Sequence, residues 1–268
     1  MSNNDDAAGR GSFWSGYELL WGLREPVTSR RTTIDRHQIV AAAIEIADRE
    51  GLGSVTMRSV AAALGTGAMS LYRHVPDKDA LVSLMVDAAI GGPPDHLSED
   101  ALPEGWRARL RLVAERTWEL CQRHRWFPEA SMTRPPITPS GIRGFELALS
   151  FFDGFELDIG TKAHFVSTVY TTVVHTALNA IIEQDARARA ALTEAEMFEA
   201  GRPFVMEVIT SGRFPRVSAF IVEAEHLDET ARMRAAIELI LDGIAARLDA
   251  LSTPRRPVGP NVSAQELD

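Results

Sequence analysis

Between positions 56 and 78 the chain carries Thr56, Arg58, Ser70, Tyr72, Arg73, His74 and Lys78. All seven side chains can donate hydrogen bonds, and four of them are cationic or become so on protonation. Donors clustered this way fix a protein on nucleic-acid phosphates, and an arginine can also pair with a guanine edge. An inert surface would mix both signs of charge. The segment TMRSVAAALGTGAMSLYRHV, residues 56–75, supplies the frame for them. Thr56 is placed to N-cap a helix over Met57–Leu64, and Gly65 breaks the chain. A short helix then covers about Gly67–His74. Two short helices joined by a glycine turn make a helix-turn-helix. Val60, Leu64 and Leu71 are spaced to form the wedge between them, and Ala61 is small enough to let the second helix cross closely.

A second set of polar residues lies far along the chain. His164, Thr168, Thr171, His175 and Asn179 recur within residues 163–182, a stretch without a formal charge. Their spacing lines one helix face with polar groups amid apolar neighbours. Buried polar groups need partners, which neighbouring helices, a second copy of the chain or a ligand could equally supply. A mostly apolar pocket with a few convergent polar groups is the usual form of a small-molecule site. Trp106, Leu110, Val113, Thr117 and Cys121 on one helix, with Phe145, Leu149 and Phe152 on another, are the candidate apolar walls. Each alone also reads as core, but together the aromatics suit a flat, polycyclic or aromatic ligand. Cys121 is the single cysteine, which excludes an intrachain disulfide and any multi-cysteine metal site. In an apolar helix it reads as packing rather than as a redox sensor.

Catalytic signatures are missing. There is no GxxxxGK[ST], HExxH, GxSxG or CxxC pattern. Gly51-Leu52-Gly53 and Gly65-Thr66-Gly67 follow helices rather than strands, and Glu183 and Asp185 have no evident buried partner. The expectation is therefore a binding protein with no enzymatic activity, cofactor or metal.

The elements that must position these residues are all helical. Asp35–Glu50 is amphipathic through Ile39, Ala43, Ile46 and Ala47, and Gly51 stops it. A fourth helix opens at Pro76-Asp77 and runs to about Ile90, with Leu81, Leu84, Met85 and Ala88 apolar. Gly91-Gly92-Pro93-Pro94 breaks the chain. Helices then follow over Pro103–His124, Thr138–Phe155, Asp158 to about Ala186, 193–212, about 216–225 and Asp228–Leu251, with a proline-rich connector at 127–137. Near the start, Trp14, Tyr17 and Trp21 mark a short amphipathic helix whose aromatics read first as packing on the chain's own body, the alternative being an arm that touches ligand, partner or DNA. The expected division is an arm at 1–29, a helix-turn-helix domain at 30–79, a ligand-binding and dimerisation body at 80–251 and a flexible tail at 252–268.

Composition agrees with an all-α globular chain of 268 residues, 45% hydrophobic and 24% charged. Net charge is −9, yet residues 30–75 hold six arginines against four acids. A mildly basic block inside an acidic chain fits a DNA-facing part joined to a separate body. No secretion signal opens the sequence, and one cysteine fits a reducing cytoplasm. The uncharged stretch 163–182 carries too many His, Asn, Ser and Thr for a lipid-facing span, so no membrane is expected.

The stretch IVAAAIEIADREGLGSVTMRSVAAALGTGAMSLYRHVPDKDALVSLMVDAAI, residues 39–90, closely resembles the tetracycline-repressor-like (TetR/AcrR) transcriptional regulators, with LYRHVPDKDALV particularly specific. The closing MRAAIELILDGIAARL helix, the histidine-bearing helix before it and the LLWGLRE arm resemble the subgroup with a tetracycline-repressor-type C-terminal domain. The resemblance implies a homodimer on a palindromic double-stranded DNA operator, regulated by a small molecule held in the body. It further implies that Arg58, Thr66, Gly67, Ala68, Met69 and Ser70 face the major groove. Thr56, Tyr72, His74 and Lys78 would hold phosphates. Thr66 stands where the family commonly has an apolar residue, and Gly67-Ala68-Met69 is poor in hydrogen-bonding groups. Base readout then rests on few contacts, Arg58 foremost, with shape and thymine methyls supplying the rest. The implied mechanism is repression relieved by a hydrophobic effector, with helix 76–90 as a lever. The alternatives are an activator or a DNA-binding protein with no effector.

Overall fold

The computed structural model describes residues 14–23, 34–91, 102–134, 137–190, 193–224 and 227–252. Most of the glycine-proline break after Gly91, the start of the arm and nearly all of the expected tail lie outside these residues. Among the described residues every regular element is helical. The elements are α1 (14–20), α2 (Arg36–Glu50), α3 (Met57–Ala63), α4 (Ala68–Leu71), α5 (Lys78–Gly91), α6 (Trp106–Arg123), α7 (Phe127–Met132), α8 (Pro139–Ser150), α9 (Ile159–Ala190), α10 (Glu194–Thr210), α11 (Pro215–Glu223) and α12 (Glu229–Ser252).

Local chemistry fixes the starts and stops. Asp35 and Gln38 form a capping box on α2, and Thr56 and Ser59 form one on α3. Gly65, at φ +63°, ends α3 in a Schellman arrangement, with its own N–H on the Ala62 carbonyl at 3.1 Å and that of Thr66 on Ala61 at 2.9 Å. Asp77 caps α5 by accepting from Ala80 N at 2.7 Å. Asp158 caps α9 through the Thr161 N–H and hydroxyl, which hold its carboxyl below the usual carboxylate range. Pro139 and Pro215 sit in the first turns of α8 and α11.

Ile39, Ala43, Ile46, Val60, Leu71 and Leu81 close the N-terminal unit, all at most 4% exposed. The same apolar cluster continues through α5 into the body. There α9 packs against α6, α7, α8 and α12. By length and composition α9 could cross a membrane; here its apolar side forms the centre of the helical body.

Several boundaries and one facing differ from the sequence reading. The connector at 127–137 contains α7, held because Phe127 and Ala130 are fully buried; six residues are too few to show a helical period. α8 stops at Ser150, because Phe151 and Phe152 both turn inward at the chain reversal. α9 extends to Ala190 on an exposed polar end that carries no apolar period. Ala88 points outward, whereas α5 is buried on every side from Ala80 to Val86.

One clasp ties α12 to α6. Glu238 accepts from Arg107 Nη2 at 2.7 Å and from Arg111 Nη2 at 2.9 Å. The Arg111 and Arg107 hydrogen bonds pull its carboxyl down to about 2. A carboxyl depressed in the folded state contributes stability that is complete above its unfolded value of roughly 4.3 and fades as pH falls through the folded value. Glu238 is 41% exposed, so solvent screens the clasp to about 1 kcal/mol or less. Glu238→Gln should therefore lower the melting temperature slightly at pH 7, and the gap to the parent should close between pH 4 and 2. A gap independent of pH would contradict this assignment.

Candidate nucleic-acid interface and the cavity behind it

α3 and α4 are held by their buried sides, which leaves their outer sides to solvent. Arg58, Gly67, Met69, Tyr72, Arg73 and Lys78 are exposed, and Met69 is 78% exposed. Thr66, Ala68, Ser70 and His74 are half-buried. The Thr56 hydroxyl is exposed but already caps α3. Arg73 leans on Ser70 Oγ at 3.4 Å, and Lys78 Nζ reaches the Leu52 carbonyl at 3.5 Å. His74 buries Nε2 without a hydrogen bond among the described residues, so only the rest of its ring faces outward. The turn thus gathers a cationic and hydroxyl-bearing rim around the small apolar patch Gly67-Ala68-Met69. Such a surface can grip two strands of phosphate and press an apolar tip toward thymine methyls.

Behind this unit the body holds a partly open cavity of about 740 Å³, mostly apolar and within the range of drug-sized ligand sites. Five of the candidate ligand residues lie on its wall: Val113 and Thr117 of α6, Phe145 of α8, and Thr171 and His175 of α9. The other eight do not. Leu110, Cys121 and Phe152 are 0% exposed core, and Trp106 stacks on Phe152 with ring centroids 5.8 Å apart. Leu149 packs against the same core. The reason is angular. On α6 the stripe Leu110, Ala114, Trp118, Cys121 faces the core, and the neighbouring stripe Val113, Thr117, Leu120 faces the cavity. Burial pushes the Cys121 thiol up to about 12, so it stays protonated and inert at neutral pH.

The polar stripe of α9 also divides. His164 and Asn179 are exposed on the outside of the chain, and Thr168 satisfies its hydroxyl on the His164 carbonyl at 2.8 Å. The expectation that these polar groups are buried thus fails for most of the face, of which only Thr171 and His175 reach the cavity.

Several wall residues escape sequence reasoning. Tyr170 follows Val166 and precedes Val174 at spacings of four, so an α9 period existed to find it. Burial raises its phenol, which hydrogen-bonds Ser131 of α7. Arg134 lies in the proline-rich connector, where no pattern marks it. Ser83, Val86, Ala89 and Ile90 bring the lever α5 itself into the wall. Tyr17 comes from α1: the aromatic spacing was legible, and its role in the cavity was not.

α5 is therefore shared. It packs on α2 in the N-terminal unit and on α7 and α8 in the body. Asp87 Oδ1 accepts from the Ser140 N–H at 2.7 Å, which fixes α5 to the first turn of α8. A second tie joins the two units. Asp48 of α2 accepts from Trp126 Nε1 at 2.7 Å and lies 2.8 Å from His124 Nδ1, both in the link that leaves α6. Trp126 is buried, whereas Asp48 lies at the surface.

Comparison with known proteins gives two family matches. Residues 39–85 match the model described as bacterial regulatory proteins, tetR family, and residues 100–248 match the tetracyclin repressor-like C-terminal domain. Among curated proteins, the chain is similar to the HTH-type transcriptional repressor DrrR1 of Streptomyces coeruleorubidus, 34% identical over 244 residues that cover 91% of this chain and 89% of that protein. The class D tetracycline repressor protein of Escherichia coli is 28% identical over 162 residues, 60% of this chain and 71% of its own. The TetR family protein ActR of Streptomyces coelicolor, solved in complex with actinorhodin, shares the fold with a TM-score of 0.66 at 24% identity, covering 81% of this chain and 99% of its own.

Proposed function

Because the chain belongs to the tetR family of bacterial regulatory proteins, we propose that it is a cytoplasmic repressor that leaves a palindromic operator when a flat, hydrophobic small molecule fills the body cavity. The observation that carries this reading is the double role of α5. One side of that helix packs on α2 and the other lines the cavity through Ser83, Val86, Ala89 and Ile90. A ligand pressing on those four residues acts on the element that carries the DNA-binding unit. It shifts the equilibrium by its differential affinity for the two positions of α5. The Asp48–Trp126 tie gives the C-terminal end of α6 a second hold on α2.

In this reading Arg58, Thr66, Gly67, Ala68, Met69 and Ser70 enter the major groove, with Arg58 the principal base contact. Tyr72, Arg73 and Lys78 hold phosphates, and Thr56 and His74 assist from partly occupied positions.

The chain acts as a homodimer through α9 and α12. On α12 Ala235, Leu239, Gly243, Ala246 and Ala250 form an exposed stripe of mostly small residues. Leu239 is 74% exposed. Small residues at helical spacing let two copies of a helix approach closely about a two-fold axis. The α10–α11 hairpin leaves Phe198, Phe204 and Phe220 at least 68% exposed, and contiguous exposed apolar surface of this kind marks an interface. Leu239→Glu should turn the dimer into monomer in sedimentation while helicity is kept; a dimer that survives it would exclude this face.

The function itself is tested by a mobility shift of the full chain on the intergenic DNA upstream of its own gene, across a salt series. The reading requires a specific complex whose affinity falls steeply with salt, as neutralised phosphates demand. No specific complex on DNA that carries the operator would remove the repressor reading.

A further inference from the structure

α1 precedes the residues that the two family models match, yet it is built into the body. Tyr17 is 4% exposed and lies on the cavity wall. Gly16 is pressed against α5 so closely that an added Cβ would stand 2.8 Å from Ser83 Cβ and 2.9 Å from Ala80 Cα. Ser15 Oγ donates to Asp77 Oδ2 at 3.1 Å, on the residue that caps α5. Trp21 Nε1 donates to the Ile137 carbonyl at 2.8 Å, just before α8. Ser15, Gly16 and Tyr17, with Trp21 just beyond the helix, thus pin α1 across one end of the cavity.

That end is polar. The Ser83 hydroxyl donates to the Asp79 carbonyl at 3.0 Å and also hydrogen-bonds the Tyr17 hydroxyl. Arg134 reaches the same corner with a side chain only 14% exposed. Among the described residues it holds Asp79 Oδ1 at 3.0 Å and Thr133 Oγ1 at 3.2 Å, from a group with five N–H donors. A phenol, which can donate, beside a guanidinium at the edge of an apolar cavity recognises an anionic or strongly accepting oxygen.

We propose that α1 is a wall of the effector site, and that Tyr17 and Arg134 together hold an acidic oxygen of a planar apolar effector – a phenolate, enolate or carboxylate. This rests on the cavity being the effector site. The apolar ring system lies along Val86, Val113, Phe145 and Val174, and the Tyr17 hydroxyl turns from Ser83 to the effector's oxygen. α1 thereby couples effector to lever twice, once through Tyr17 and once through its own packing on α5.

The test measures binding of two arenes to the full chain by calorimetry: anthracene-2-carboxylate and the neutral anthracene-2-methanol. The parent should prefer the carboxylate by about tenfold, the effect of one charge-assisted hydrogen bond. Tyr17→Phe keeps the ring and should reduce that preference to about threefold or less. Gly16→Ala lifts α1 from α5 and should weaken both arenes together, while thermal unfolding shows the body intact. Equal affinity for the two arenes in the parent, or a preference that survives Tyr17→Phe, overturns the polar corner and leaves the cavity standing. Unchanged binding in Gly16→Ala overturns the role of α1 as a wall. Binding of neither arene overturns this proposal and the cavity reading together.

Discussion

Arg58→Ala is expected to abolish sequence-specific operator binding while leaving weak, salt-sensitive binding to any DNA. Arg58 is exposed at the start of α3, next to the cap that fixes that helix, so removing its side chain disturbs no packing. A bidentate arginine–guanine contact is worth roughly 1–3 kcal/mol of discrimination. A dimer carries the residue twice, so the loss comes to about 2–6 kcal/mol, a drop of at least about 30-fold. Lys78→Ala should behave differently. In the dimer it removes two phosphate contacts, weakens all DNA alike and lowers the salt slope by about two. Mobility shifts on operator and scrambled DNA separate the two. Equal losses on both DNAs in Arg58→Ala would demote Arg58 to a phosphate contact.

Phe152→Ala carries the largest effect on stability. Phe152 is 0% exposed and meets Trp106, Phe155 and Phe165 at centroid distances of 5.8, 6.3 and 5.5 Å. Truncating a buried phenylalanine costs about 3–5 kcal/mol in transfer and cavity terms. For a domain of this size that lowers the melting temperature by roughly 6–20 °C. The same truncation of Phe145, which is half-buried on the cavity wall, should cost far less and act on ligand affinity instead. Thermal unfolding of both variants decides the assignment. Comparable melting temperatures would mean that Phe152 belongs to the cavity after all.

That contrast shows what periodicity conveys. The helix-turn-helix was legible because its determinants are local, although its second helix ends at Leu71 rather than near His74. The Thr56 cap, Gly65 in the turn, Ala61 at the crossing and the wedge of Val60 and Leu71 all act within twenty positions of one another. The cavity is a tertiary object. Periodicity tells that Leu110 and Val113 both point inward, but two stripes so close on α6 face different neighbours, and only packing decides which meets space. Aromatic residues drew the reading toward Trp106 and Phe152, since burial and ligand contact need the same side chains. Arg134 and Ser83 gave no signal, because an arginine in a connector and a serine in an apolar helix become a site only once α1 folds over them. The α9 stripe failed for a related reason. Polar spacing marks a face, and in a single chain that face points largely outward.

The central claim is that cavity and operator act on one helix, so that a filled cavity and a bound operator select different separations of the two α4 helices in the dimer. Spin labels at Met69→Cys measure that separation directly. Met69 is 78% exposed on α4, and the Cys121 thiol is fully buried with its pKa pushed up to about 12, so the label goes to position 69 alone. With operator bound, the distances should gather near the roughly 34–36 Å between successive major grooves. With anthracene-2-carboxylate at saturation they should move away from that value, and the operator should be released. The same distance in both states, with the operator still bound, would contradict the account.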